Sequence, residues 1–259
     1  MSWRGGRGTA VIAVDCVQRS DAWRQARCGR VTASRAGDLL ARGRYGLPSV
    51  SRSRYRQQLI DEQITGRPTP ESFMPTAAMQ RGVALEPAAR AAYAARTGQV
   101  VHTSGFLMHD ELMAGCSLDG YVGAFEGVVE LKAPQSVTHG TYLVTRRVPK
   151  AYRAQMTHLL WMTGAQWCDF VSFDDRLPEA LQLVVIRFTR AVLDVEGYDQ
   201  AVRAFLEEIR VTVGYLEFFQ SAPLAVATDV LAQCTATVRR RARRTVAPMW
   251  ARPAFEVGR

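Results

Sequence analysis

GCSLDGYVGAFEGVVELKAP, residues 115–134, reads as two strands joined by a short glycine-containing turn. Side chains alternate faces along a strand, so Glu130 and Lys132 leave the second strand on one side and Leu131 on the other. A turn centred near Ala124 and Phe125 sets Asp119 of the first strand across from Glu130. Two carboxylates and an ammonium then converge, flanked by Val128, Val129 and Leu131.

Upstream, Asp21 can cap a short helix ending near Gly29, Thr32 or Ser34 can start another, and the basic stretch 42–58 leads into a helix around 55–65. PTAAMQRGVALEPAARAAYAARTG, residues 75–98, is helical text with Gly98 placed to end it. Its internal Pro87 predicts a kink or a fresh helix start, which puts Glu86 near a helix end. Further strands are expected over 100–108, 113–122, 167–173 and 181–188, with helices over 152–163 and 198–219. This order gives an α+β or mixed α/β fold around a central sheet. The domain organisation read from it is an N-terminal extension over 1–20, one domain over 21–220 and a C-terminal extension over 221–259, whose basic cluster Arg239–Arg244 is followed by prolines.

Thirty-three Lys and Arg against 24 Asp and Glu, a formal charge of +9, suit a polyanion such as nucleic acid, although a GC-rich genome gives the same arginine bias. Five scattered cysteines without a CxxC pair indicate neither a disulfide framework nor a zinc site. His102, His109, His139 and His158 lack metal-ligand spacing and are expected in ordinary hydrogen-bonded roles. Trp23 and Trp161 read as core residues on apolar helix faces. The apolar run 8–14 is too short for a signal-peptide core or a membrane span, so the expected location is cytoplasmic, with no membrane association.

Asp119 and Glu130 offer the hard oxygen ligands that suit Mg2+, with Mn2+ an alternative, and Lys132 would stand beside a metal-bound water. There it would orient or help deprotonate the nucleophile, or stabilise charge on a phosphodiester under attack. An isolated ELK also fits a surface ion pair. The ordered set separates the two: a Glu in helical text, an Asp-Gly, an apolar-flanked ELK, then a helix with a polar stripe. Arg146, Arg147 and Lys150 precede that last helix and are placed to line a DNA channel.

DAWRQARCGRVTAS (21–34), RGVALEPAAR (81–90), GCSLDG (115–120), VVELKAP (128–134) and YRAQMTHLLWMTG (152–164) together resemble the lambda-type exonuclease or YqaJ-type viral recombinase family of the PD-(D/E)xK nuclease superfamily. The resemblance implies a restriction-endonuclease-like central sheet flanked by helices. It implies metal binding by Asp119 and Glu130 with the Leu131 carbonyl, assistance from Glu86, catalysis by Lys132, and a nucleophile-placing role for Gln155. Arg27, Ser34 and Ser117 match positions that hold the 5′-phosphate of a DNA end. The implied activity is 5′-to-3′ degradation of one strand of linear duplex DNA, exposing 3′ single strands for viral or prophage recombination. A homotrimeric ring and a single-strand annealing protein as partner are implied with it, in the host cytoplasm or nucleus. A structure-specific or restriction-like endonuclease with the same residues, and an inactive DNA-binding accessory protein, are the rival readings. Leu118 stands where the family has proline before the Asp, and residues 136–150 and those after 220 follow its pattern poorly.

Overall fold

The alternation read in VVELKA becomes a strand, Gly127–Lys132, whose two faces are buried against different layers. The computed structural model describes residues 2–4, 10–70 and 76–221. In chain order these form Ser2–Arg4 (β1), Ala10–Val14 (β2), Asp21–Arg27 (α1), Val31–Thr32 (β3), Ala36–Leu40 (α2), Val50–Thr65 (α3) and Ala77–Thr97 (α4). Val101–His102 (β4), Phe106–His109 (β5), Ala114–Ser117 (β6), Gly120–Val122 (β7) and Gly127–Lys132 (β8) follow. Ser136–Thr145 (α5), Lys150–Thr163 (α6), Trp167–Phe173 (β9), Leu183–Thr189 (β10) and Val195–Ser221 (α7) complete the order.

The fold class is the mixed α/β expected, but the strands divide between two five-stranded sheets, ordered β1-β2-β5-β6-β3 and β10-β9-β8-β7-β4. The hairpin β7–β8 pairs Gly120 with Val129 and Val122 with Gly127, so the next positions along the ladder are Asp119 and Glu130. β8 runs parallel to β9, and the long connection that parallel pairing needs is made by α5 and α6. The chain crosses between the sheets on either side of β4 and again between Ser117 and Gly120, so Leu118 and Asp119 form one of the links between them. Gly115 lets β5 and β6 approach there: a Cβ at that position would lie 2.4 Å from the Phe106 ring.

Strand alternation sorts the core. Val128, Cys168 and Phe170 face a large cluster with Met156, Leu159 and Leu160 of α6, while Val129, Leu131, Val171 and Phe173 face Ala89 and Tyr93 of α4. Within the second layer Asp169 is buried and held by Tyr93 Oη at 2.8 Å and by two Arg187 nitrogens at 2.9 Å each. Trp161 is buried as expected, and His139 and His158 are buried and fully hydrogen-bonded.

Several local expectations are corrected. Ser20, not Asp21, caps α1, its Oγ accepting from the Trp23 N–H at 3.2 Å. Pro87 lies inside one continuous helix that Thr76 caps and Gly98, at φ 69°, ends; Glu86 is therefore mid-helix. The helix tolerates the proline because Pro87 and Val83, whose carbonyl loses its amide partner, are both on the exposed side where solvent can serve. Residues 10–14, assigned from sequence to an N-terminal extension, are a strand paired antiparallel with β5. Trp23 is half-buried, and α1 buries none of its residues, so it is not a core tryptophan.

Residues 1–213 and 214–259 form two compact units. Of the second, the described part is the end of α7, where the Tyr215 and Phe219 rings meet at 4.7 Å; Arg239–Arg244 and the rest of the proposed C-terminal extension after Ser221 lie outside the described residues. Among the described residues the cysteines are free, and no helix is long and apolar enough to cross a membrane.

Candidate active site

Glu130 and Lys132 leave β8 toward α6, as the two-residue period requires, and Gln155 of α6 meets them. Gln155 Nε2 donates to Glu130 Oε1 at 2.6 Å, and Lys132 Nζ donates to the same oxygen. Glu130 is buried, and the Lys132 side chain remains a quarter exposed. Lys132 Nζ also lies 5.2 Å above the ring of Tyr152, one helical turn before Gln155. Asp119 is fixed from below: its Oδ2 accepts the Leu131 N–H at 2.8 Å. Its main chain is held as well, since Arg90 Nε donates to the Asp119 carbonyl at 2.9 Å and Gln18 Nε2 to the Leu118 carbonyl at 3.0 Å.

The electrostatics follow from this crowding. Burial and then Glu130 push the Asp119 carboxyl well above the ordinary carboxylate range, against the pull of Lys132 and the Leu131 N–H, with Glu86 adding to the rise. Burial alone would lower the Lys132 ammonium, but Glu130 and Asp119 more than offset it, so the lysine is held protonated. An arrangement with two adjacent anions and one cation has room for a further positive charge.

Glu86 approaches from the other layer. α4 packs on the Leu131 face of the sheet, and Glu86 reaches a groove of about 440 Å³ lined also by Leu131, Lys132, Pro134 and Tyr152. Its Oε1 is taken by Arg19 Nη2 at 2.6 Å. Among the described residues no three His, Cys, Asp or Glu side chains stand close enough together to hold a metal ion; the carboxylates beside Lys132 are the pair Asp119 and Glu130. Such a pair fits Mg2+, which is typically held by one or two carboxylates and keeps several waters. Of the other expected residues, Arg146, Arg147 and Lys150 are exposed around the α5–α6 connection and do not line this groove.

A second pocket, of about 290 Å³, opens beside α1. Arg27 and Ser34 line it, with Arg27 Nη2 3.4 Å from both Ser34 Oγ and Thr32 Oγ1. Ser117 reaches it through Trp23, whose Nε1 donates to Ser117 Oγ at 2.7 Å while the Arg27 guanidinium lies 4.3 Å over the ring. Arg35 adds a further cation, stacked 4.3 Å over Tyr55. Through β6 and the Leu118–Asp119 link, Ser117 and Asp119 stand two residues apart, which couples the basic pocket to the carboxylate pair.

Sequence reasoning missed Trp23, Arg35, Arg90 and Tyr152 as site residues. Tyr152 and Arg90 had a usable signal, each one turn from an assigned residue on the same helix face, Gln155 and Glu86 respectively. Arg19 had none, because its partner is 67 residues away.

Residues 22–166, more than half of the 259, match the family described as YqaJ-like viral recombinase domain. No curated protein matches significantly. Among solved structures the chain is similar to an alkaline exonuclease, LHK-Exo, from Laribacter hongkongensis, at 38% identity and a TM-score of 0.68, over 76% of this chain and 96% of that one. The same exonuclease in complex with dAMP matches equally well. A phage-related exonuclease from Haemophilus somnus, 13% identical with a TM-score of 0.56 over 72% of this chain and 96% of that one, shares the fold. By the extent of the family match and by its likeness to LHK-Exo, the chain belongs to the YqaJ-like viral recombinase domain family.

Proposed function

We propose that this protein is a metal-dependent DNA exonuclease that degrades one strand of linear duplex DNA from its 5′ end and leaves 3′ single strands for recombination. The observation that carries the reading is the convergence of Glu130, Lys132 and Gln155 with Asp119 beside a groove that Lys132 lines, two residues along the chain from Ser117 and the basic pocket. Its likeness to LHK-Exo, an alkaline exonuclease, supports it.

Asp119, Glu130 and the Leu131 carbonyl would hold Mg2+ or Mn2+, with Glu86 assisting. When bound, such an ion polarises a phosphoryl oxygen and makes water a stronger nucleophile. Gln155 fixes the Glu130 carboxylate, the Leu131 N–H and Arg90 fix Asp119, and Gln18 fixes the Leu118 carbonyl before it, so Asp119 and Glu130 need little reorganisation. Lys132, beside Glu130, would orient or help deprotonate the nucleophilic water, or donate a hydrogen bond to the phosphoryl oxygen that gains charge. Arg27 with Ser34, Thr32 and Arg35 forms the end pocket, where a terminal phosphate would accept from guanidinium and hydroxyl donors. A ring-shaped homotrimer, a single-strand annealing partner and a location in host cytoplasm or nucleus belong to the same reading and rest on family resemblance.

Duplex DNA labelled separately on each strand, with and without 5′-phosphate, tests it beside covalently closed circles. Loss of the 5′-phosphorylated strand alone, with circles untouched, is the expected result. Equal cutting of circles would make the protein an endonuclease.

A further inference from the structure

Arg19 is built to be aimed. It is not glycine, yet its φ is 71°, a left-handed conformation that ordinary residues rarely adopt. Both neighbours are pinned in a way that imposes it. Gln18 donates to the Leu118 carbonyl at 3.0 Å, while Ser20 donates its N–H to the Val17 carbonyl at 3.1 Å and caps α1. The side chain so directed meets Glu86 at 2.6 Å and is nearly half exposed.

The pair stands on a ridge. Arg19 and Glu86 line the groove that holds Lys132, and they also line a second groove of about 740 Å³ whose other walls include Arg90, Ser104 and Tyr121. Ser104 Oγ is buried there with no hydrogen-bond partner among the described residues. A strand of DNA crossing from one groove to the other would pass over this ion pair.

We propose that Arg19 is a DNA-phosphate contact that Glu86 holds in exchange: Glu86 pairs either with Arg19 or with the divalent cation of the Asp119–Glu130 centre, and turning to the cation releases the guanidinium to a backbone phosphate at the ridge. This rests on the metal-dependent reading given above. Net charge explains the coupling. One carboxylate cannot serve two cations at full strength, and a guanidinium freed from its carboxylate is matched in shape and charge by phosphate. The exchange makes cation and DNA binding mutually supportive, with the strained backbone keeping Arg19 in place for both partners.

The test is Mn2+ binding to the full chain without DNA, followed by electron paramagnetic resonance, for wild type, Arg19→Gln, Glu86→Gln and the double variant. Arg19→Gln is expected to tighten Mn2+ binding by about two- to fivefold, the range a half-exposed ion pair can contribute. Glu86→Gln should weaken it, and the double variant should match Glu86→Gln. Unchanged or weaker binding in Arg19→Gln, or tightening that persists without Glu86, overturns the exchange. Mn2+ binding that is absent in wild type, or present but indifferent to Asp119→Asn, overturns the metal reading as well, and so separates the two failures. Arg19→Gly removes the same guanidinium while suiting the left-handed backbone, so a folding defect in Arg19→Gln does not close the test. Duplex affinity supplies the second arm: Arg19→Gln should weaken binding in Ca2+ and not in chelator, and equal weakening in both would make Arg19 an ordinary phosphate contact with no exchange.

Discussion

Asp119→Asn is expected to stabilise the protein while abolishing its activity. Burial and the facing Glu130 raise the Asp119 carboxyl above its ordinary range, so the folded state disfavours the charged form. The sign follows from proton linkage: stability is full below the unfolded-state value near 3.9 and falls as pH rises through the folded-state value. Asparagine keeps an oxygen to accept the Leu131 N–H and carries no charge at any pH. One pKa unit corresponds to about 1.4 kcal/mol, and Lys132 loses part of its partner in the exchange, so the net gain at pH 8 is set at about 1–2 kcal/mol. For a chain of this size that raises the melting temperature by roughly 2–8 °C. The assay is thermal unfolding at pH 8 in chelator and in Mg2+, beside digestion of linear duplex. Wild type should gain stability from Mg2+, about 2.7 kcal/mol at a hundred times Kd, and the variant should gain little. An Asp119→Asn protein that melts below wild type in chelator at pH 8, or that still digests DNA, would refute the argument.

Three further outcomes follow from other contacts. Lys132→Ala is expected to lower kcat by about 10²–10³, the usual loss for one donor to a developing oxyanion; a low-pH limb of the rate profile equal to that of wild type would agree with an ammonium role, and loss of that limb with a base. Trp23→Phe removes the N–H that holds Ser117 but keeps the ring under Arg27; it should reduce the preference for 5′-phosphorylated over 5′-hydroxyl ends by about fivefold, near 1 kcal/mol, measured as a ratio of kcat/KM. His158 is buried between the Gly115 carbonyl and the Tyr198 hydroxyl, so its Nε2–H donates to the first and its Nδ1 accepts from the second. Burial pushes its pKa down to about 3, so its contribution to stability is full above about 6.5 and is lost as pH falls, by up to about 1.4 kcal/mol per unit. Urea unfolding from pH 7 to pH 5 should show this slope in wild type and a shallower one in His158→Gln.

What was legible in the sequence was what local periodicity encodes. The alternation around Glu130 and Lys132, the short turn before them and the glycine ending α4 each depend on neighbours within a few residues, and each stands in the structure. What stayed hidden depends on distance or exposure. Pro87 continues its helix because its surroundings are solvent, which the text of the helix does not reveal. The division into two sheets turns on residues 118–119, where only long-range pairing shows that the strand text 113–122 is cut in two. The Arg19–Glu86 pair and the Tyr93–Asp169–Arg187 cluster join residues far apart in the chain, and α5 escaped because SVTHGTYLVT is rich in β-branched residues that favour strands. Asp119, Glu130, Lys132 and Gln155 were all named from sequence and meet in space, whereas Arg146, Arg147 and Lys150 stand apart from the groove.

Release of mononucleotides from 5′-phosphorylated linear duplex DNA, in Mg2+ and in chelator, by wild type and Glu130→Gln, tests the central claim most directly. The account predicts release by wild type in Mg2+ only, and a loss of at least about a thousandfold in the variant, since Glu130 is both a proposed ligand and the anchor of Lys132 and Gln155. Release that survives chelation, or that Glu130→Gln sustains at the wild-type rate, would contradict it.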